Sequence, residues 1–128
     1  MNDQETSLQQ LKDVLTEFVD QRDWSQFHSP KNLAMSLAIE AAELMEHFQW
    51  LTIDQSRNIA EDPDKKAAAA EELADVFSYT LAIANTMGID LTETYLKKME
   101  KNRQKYPAEE FQGRWGHRDR VGKPAEED

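Results

Sequence analysis

The sequence predicts an all-α fold, a four- to five-helix bundle completed by pairing with a second copy. Three observations point there: apolar residues recur at helical spacing, no run alternates with a β period, and only four glycines and four prolines punctuate 128 residues. Leu8, Leu11, Leu15 and Phe18 step by 3, 4 and 3, which draws one stripe on a first helix over about residues 5–21. Residues 22–29 read as a connection containing Trp24, Phe27 and His28. Ser29-Pro30 then starts a second helix, serine as the cap and proline at the first helical position, where its missing N–H costs nothing. That helix runs through Leu33, Leu37, Ala41, Leu44 and Phe48 to about residue 50.

Thr52 with Gln55 fits a capping box for a short helix near residues 53–60. Asp62-Pro63-Asp64 restarts the chain, and KKAAAAEELADVFSYTLAIANTM, rich in strong helix formers, ends at Gly88, a C′ glycine. Its stripe is Leu73, Val76 or Phe77, Thr80, Leu81 and Ala84. Asp90 and Glu93 repeat the capping-box pattern and open a last helix through Leu91, Tyr95, Met99 and Arg103, stopped by Pro107. The division expected is one helical domain over 1–107 and a flexible tail over 108–128, with Phe111 and Trp115 as points where it docks. Four or five helices in so short a chain make a thin bundle. Apolar residues wrap more than half of the helix carrying Leu73, Val76, Phe77, Leu81 and Ile83, which suits a two-fold dimer or simply a well-buried central helix.

Composition narrows the function. Without cysteine there is neither a disulfide framework nor a thiolate metal site. No segment approaches roughly 20 consecutive apolar residues and the first residues carry no signal pattern, so the expectation is a soluble, cytoplasmic protein with no membrane partner. A formal net charge of −10 with no basic stripe excludes a nucleic-acid polymer held by its phosphates. A small polyanion remains open to it, provided divalent cations stand between the two. Otherwise the acidic excess only keeps a surface soluble.

Two acidic pairs give that provision substance. Glu40 and Glu43 lie three apart in the second helix, and Glu72 and Asp75 repeat the spacing in the helix after Pro63. Residues three apart share a helix face and are separated by about 4.5 Å along the axis. Each pair is set among alanine and leucine, so the like charges repel in poorly solvated surroundings and call for neutralisation. A divalent cation supplies it. A di-iron bundle would use Glu-x-x-His, whereas here the fourth residue is Glu43 or Asp75, which favours hard Mg²⁺, with Mn²⁺ as substitute. His47 follows Glu43 by four but has no counterpart after Asp75. The bland alternative is a pair of solvated acidic faces.

The segments RDWSQFHSPKNLAMSLAIEAAELMEHFQW, EELADVFSYTLAIANTMGIDL and KKMEKNRQKYP, in that order, resemble the MazG-like all-α nucleotide pyrophosphohydrolases, in the branch that includes dCTP pyrophosphatase. The family's Glu-x-x-Glu, spacer, Glu-x-x-Asp signature falls on Glu40, Glu43, Glu72 and Asp75, with 28 residues between the pairs, and the resemblance covers residues 20–107. It implies Mg²⁺-dependent hydrolysis of a (deoxy)nucleoside triphosphate to monophosphate and pyrophosphate, a nucleotide-pool house-cleaning activity, in a homodimer or a dimer of dimers. Glu40, Glu43, Glu72 and Asp75 are then the metal ligands, and Glu40 or Glu43 takes the proton of the attacking water. Trp24, His28 and Trp50 surround the base, and Lys98, Asn102 and Tyr106 face the triphosphate and sugar.

Each assignment has a physical counterpart and a plainer rival. Lys98, Asn102 and Tyr106 step by 4 and 4 and carry donors for phosphate oxygens, or form an ordinary polar face. Trp24 and Trp50 stack a nucleobase, or serve as core or interface. His28 donates to the base, or caps the second helix. The residues after Pro107 do not map onto the family; Arg114, His117 and Arg118 close over phosphates of a neighbouring subunit, or belong to a disordered or docked tail. The rival from another class is a non-catalytic helical interaction module with a structural acidic cluster. A second rival acts on a different phosphorylated compound, such as a damaged nucleotide.

Overall fold

The computed structural model describes residues 1–114, and within them every regular element is helical. Two units are described in turn, Met1–Ile89 and the residues from Asp90 onward.

In the first unit α1 spans Leu8–Asp20. Ser7 opens it with a complete capping box: its Oγ accepts from the Gln10 amide at 3.2 Å, and its own amide donates to Gln10 Oε1 at 2.8 Å. After Asp20 the chain turns through Asp23, whose φ of 52° is in the left-handed region. A short 3-10 turn, Ser25–Phe27, leads to α2, Pro30–Glu46. The expected start holds, since Ser29 Oγ accepts from the Asn32 amide at 3.1 Å and Pro30 is at the first position.

The end of α2 comes four residues earlier than its apolar stripe suggests. From His47 the amides reach back three residues, to Leu44 and Met45, and the chain tightens into turns instead of continuing. Next, α3 (Ile53–Arg57) starts on the Thr52/Gln55 capping box, and a 3-10 turn, Asn58–Glu61, completes the stretch expected as one short helix. The long α4, Pro63–Met87, is capped by Asp62 Oδ1, which accepts from the amides of Asp64 and Lys65 at 3.1 and 3.2 Å. It ends as its sequence suggests. Gly88, at φ 64°, turns the chain so that the Ile89 amide reaches Ala84 O at 2.8 Å and the Gly88 amide reaches Asn85 O, the double bond of a Schellman ending.

Packing runs mainly between α2 and α4, with α1 laid against α4. The buried core is small: Val19 of α1, Leu33 of α2, and Leu81, Ala82 and Ala84 of α4. Burying each leucine contributes about 1.5–3 kcal/mol. Polar contacts fasten the α1–α4 seam, with Lys12 Nζ donating to Ile89 O at 2.8 Å and Asn85 Nδ2 donating to Thr16 Oγ1 at 3.2 Å. The core occupies the C-terminal half of α4. Towards its N-terminal half and the middle of α2, Leu73, Phe77, Met35 and Ile39 stay exposed in the single chain. The wide apolar stripe read from the sequence is therefore only partly covered.

The second unit contains α5, Leu91–Lys105, and the short α6, Ala108–Phe111. Asp90 Oδ1 accepts from the Glu93 amide at 2.8 Å, so half of the expected box forms, while the Glu93 carboxylate pairs with Lys97. Phe111 sits edge-on against Tyr106, ring centroids 5.2 Å apart. Trp115, His117 and Arg118 lie outside the described residues.

Candidate active site

The packing of α2 along α4 converts two local acidic pairs into one cluster. Glu40, Glu43 and Glu72 each present a carboxylate oxygen, and these oxygens all lie within 4.8 Å of one another. Asp75, one turn further along α4, is near enough for its charge to act on Glu40. Glu40 is the inner member, half-buried, and its Oε2 is buried with no hydrogen-bond partner. Glu43 is exposed.

The electrostatics follow from this crowding. The Glu40 carboxyl is pushed up to about 7, first because its protonated form hydrogen-bonds Glu43, next because it is withdrawn from water, then because the charges of Glu43, Asp75 and Glu72 oppose its ionisation. A buried carboxylate oxygen without a donor is unusual in a folded protein. The donor set here is all carboxylate oxygen, which suits a hard divalent cation. The orphaned oxygen and the convergent carboxylates both fit such an ion. Facing them from the end of α2, His47 Nε2 stands 3.8 Å from Glu72 Oε1. The signal for His47 in the sequence is its spacing of four from Glu43, about one helical turn.

A cavity of about 480 Å³ opens between α1, the 22–29 connection and α4, within the size range of small-molecule sites. Its walls include Phe18, Trp24, His28, Phe77 and, from the acidic set, Asp75. The left-handed turn at Asp23 sets Trp24 in place, its amide donating to Val19 O at 3.1 Å and its ring meeting Phe18 edge-on at 5.7 Å. The Arg22 guanidinium stacks 3.7 Å over the Phe18 ring. Ser29, not His28, caps α2, which leaves the half-buried imidazole of His28 on the cavity wall.

Of the ten site residues read from the sequence, Glu40, Glu43 and Glu72 converge, and Trp24, His28 and Asp75 share the cavity. Trp50 is 86% exposed and is not part of that wall. In the second unit Lys98 is exposed, Asn102 is half-buried with its amide 3.9 Å from Met99 Sδ, and Tyr106 leaves helical geometry at φ −125°, ψ 70°. Tyr106 is the C-cap of α5, its amide still donating to Asn102 O at 2.8 Å. Phe18 and Phe77 were read only as stripe residues, because nothing in a period tells a cavity wall from a core.

A model of the MazG-like family matches residues 35–116, a span containing all four acidic residues. The chain belongs to this family. The chain is also similar to dCTP pyrophosphatase 1 of Mus musculus, 41% identical over 103 residues, and of Homo sapiens, 41% identical over 104. The matches cover 80% and 81% of this chain but 61% of each relative, so the chain spans about three fifths of the curated proteins it matches. A solved pyrophosphatase from Archaeoglobus fulgidus superimposes with a TM-score of 0.74 at 41% identity, covering 84% of this chain and 98% of that one. The MazG-like membership and the all-α fold read from the sequence both stand.

Proposed function

We propose that this MazG-like chain hydrolyses a (deoxy)nucleoside triphosphate, a dCTP-like or modified pyrimidine nucleotide, to the monophosphate and pyrophosphate in nucleotide-pool house-cleaning. The observation that carries the reading is Asp75, which belongs both to the acidic set around Glu40 and to the wall of the aromatic cavity. A base held by Trp24 and His28 would thus lie beside the groups that handle its phosphates. The likeness to proteins named dCTP pyrophosphatase 1 supports the choice of a nucleotide substrate.

In this reading Glu40, Glu43, Glu72 and Asp75 hold Mg²⁺, or Mn²⁺ in its place. Held by these carboxylates, such an ion would supply Lewis-acid chemistry, making a nearby water more acidic and offsetting the negative charge of the phosphates. The protein residues divide the remaining work. Glu40, with its orphaned oxygen, is a ligand. Glu43, exposed where water reaches it, accepts the proton of the water that attacks the α-phosphorus in line. Trp24 stacks the base, worth roughly 1–3 kcal/mol, while His28 donates to its edge. Trp50 of the same or a neighbouring copy adds a second aromatic face. Lys98, Asn102 and Tyr106 donate to phosphate and sugar oxygens.

The reading includes a homodimer or a dimer of dimers in the cytoplasm. Exposed Ile39, Leu73 and Phe77 flank the acidic residues in sequence, and a second copy is the economical cover for them. No helix among the described residues is long and apolar enough to cross a membrane.

A panel of common and modified triphosphates, assayed for pyrophosphate with and without Mg²⁺, tests the proposal. Release that needs Mg²⁺ and is fastest for one pyrimidine triphosphate is the expected result. No release from any member would overturn it in favour of a non-catalytic helical module.

A further inference from the structure

We propose that His47 is a positioning residue for the acidic site: its imidazole holds the Glu72 carboxylate facing Glu40 and Glu43. The inference rests on reading these carboxylates as metal ligands. Glu72 is the member that needs holding. Glu40 and Glu43 share one helix, so their backbones set their separation, whereas Glu72 crosses to them from α4. Among the described residues Glu72 makes no direct hydrogen bond, and His47 is the one basic side chain within 4.0 Å of any of the four carboxylates. A glutamate crowded by other carboxylates lowers its energy by rotating into water. Its side chain is a quarter exposed, so water lies within reach.

His47 opposes this rotation by position. It follows Glu43 by four residues as the C-cap of α2, and its Nε2 stands 3.8 Å from Glu72 Oε1, so a small rotation of either side chain closes a hydrogen bond. Its backbone already belongs to the turn that ends α2, the amide bonded to Leu44 O, so the ring projects from a fixed point. A neutral imidazole with hydrogen on Nε2 serves as donor, so the role needs no charge on the ring. Partners of this kind orient metal-binding carboxylates in other proteins, and their loss typically weakens metal binding 10- to 100-fold.

The test uses the full chain with Mn²⁺ alone and no nucleotide, reading free Mn²⁺ by electron paramagnetic resonance. His47→Ala and the bulkier His47→Leu are expected to weaken Mn²⁺ binding by roughly 10-fold or more. His47→Gln, whose amide nitrogen occupies the place of Nε2, should restore most of it, and thermal melting of the metal-free variants checks that the fold is intact. Wild-type affinity in folded His47→Leu would overturn the inference while leaving the acidic site standing. If wild type itself takes up no Mn²⁺, the metal-ligand reading fails and the role of His47 with it.

Discussion

The indole of Trp24 meets the ring of Phe18 edge-on, 5.7 Å between centroids and 76° between planes, on the wall of a cavity that also includes Asp75. The contact depends on Asp23. Its φ of 52° is a conformation that aspartate tolerates and β-branched residues resist, and its backbone and carboxylate oxygens both accept from Gln26 Nε2. Asp23→Val should therefore lower stability by about 1–2 kcal/mol and raise KM for nucleotide by loosening Trp24. Asp23→Gly should stay within about 1 kcal/mol of wild type. Thermal unfolding together with nucleotide quenching of tryptophan fluorescence checks both, and equal behaviour of the two variants would detach Trp24 from the turn.

Glu43→Gln keeps the size of the side chain and removes its capacity to take a proton. The variant should bind nucleotide with little change and release pyrophosphate 10²- to 10⁴-fold more slowly, about the contribution of a general base. Single-turnover measurement separates binding from chemistry. Turnover at the wild-type rate would move the base elsewhere, Glu40 first.

The Glu40 carboxyl, pushed from its usual 4.5 to about 7, makes the metal-free protein sensitive to pH in a direction that can be worked out. Between those two values the folded chain binds more protons than the unfolded chain, so stability falls as pH rises from about 4.5 and levels off above about 7. A divalent cation competes with the same proton, so its binding should release protons and tighten as pH climbs toward 7. Melting curves in chelator from pH 5 to 8, for wild type and Glu40→Gln, read the first effect. An identical slope in both would assign the titration to another group.

Leu33 is 2% exposed and anchors α2 in a core of few residues. Leu33→Ala should cost about 2–5 kcal/mol, measurable by chemical denaturation. Divalent-cation binding to the folded state should in turn raise the midpoint of the variant.

Local chemistry made most of the helix starts legible. Ser7, Ser29, Thr52, Asp62 and Asp90 each accept from an amide of the helix they open, and Gly88 ends α4 in the left-handed conformation. The end of α2 was not legible, because Phe48 keeps the apolar period while the amides of His47 and Phe48 have already shifted to three-residue bonds. The same division holds in the site. Spacing of three identified Glu40/Glu43 and Glu72/Asp75, whereas the meeting of His47 with Glu72 joins residues 25 apart through the packing of α2 on α4, which no local pattern encodes. The cavity beside Trp24 was hidden for a similar reason, since the left-handed turn at Asp23 has no glycine to announce it.

The excursion through α3 and its 3-10 turn has an evolutionary consequence. The acids are brought together by α2 lying along α4, and beyond His47 and Trp50 the chain from residue 51 to 62 returns one helix to the other. Doubling the length of a flexible connection costs about 0.6 kcal/mol in closure entropy. Insertions and deletions there are nearly neutral as long as the two helices still mate, so lineages can lengthen, shorten or decorate this excursion while inheriting the same four carboxylates in register.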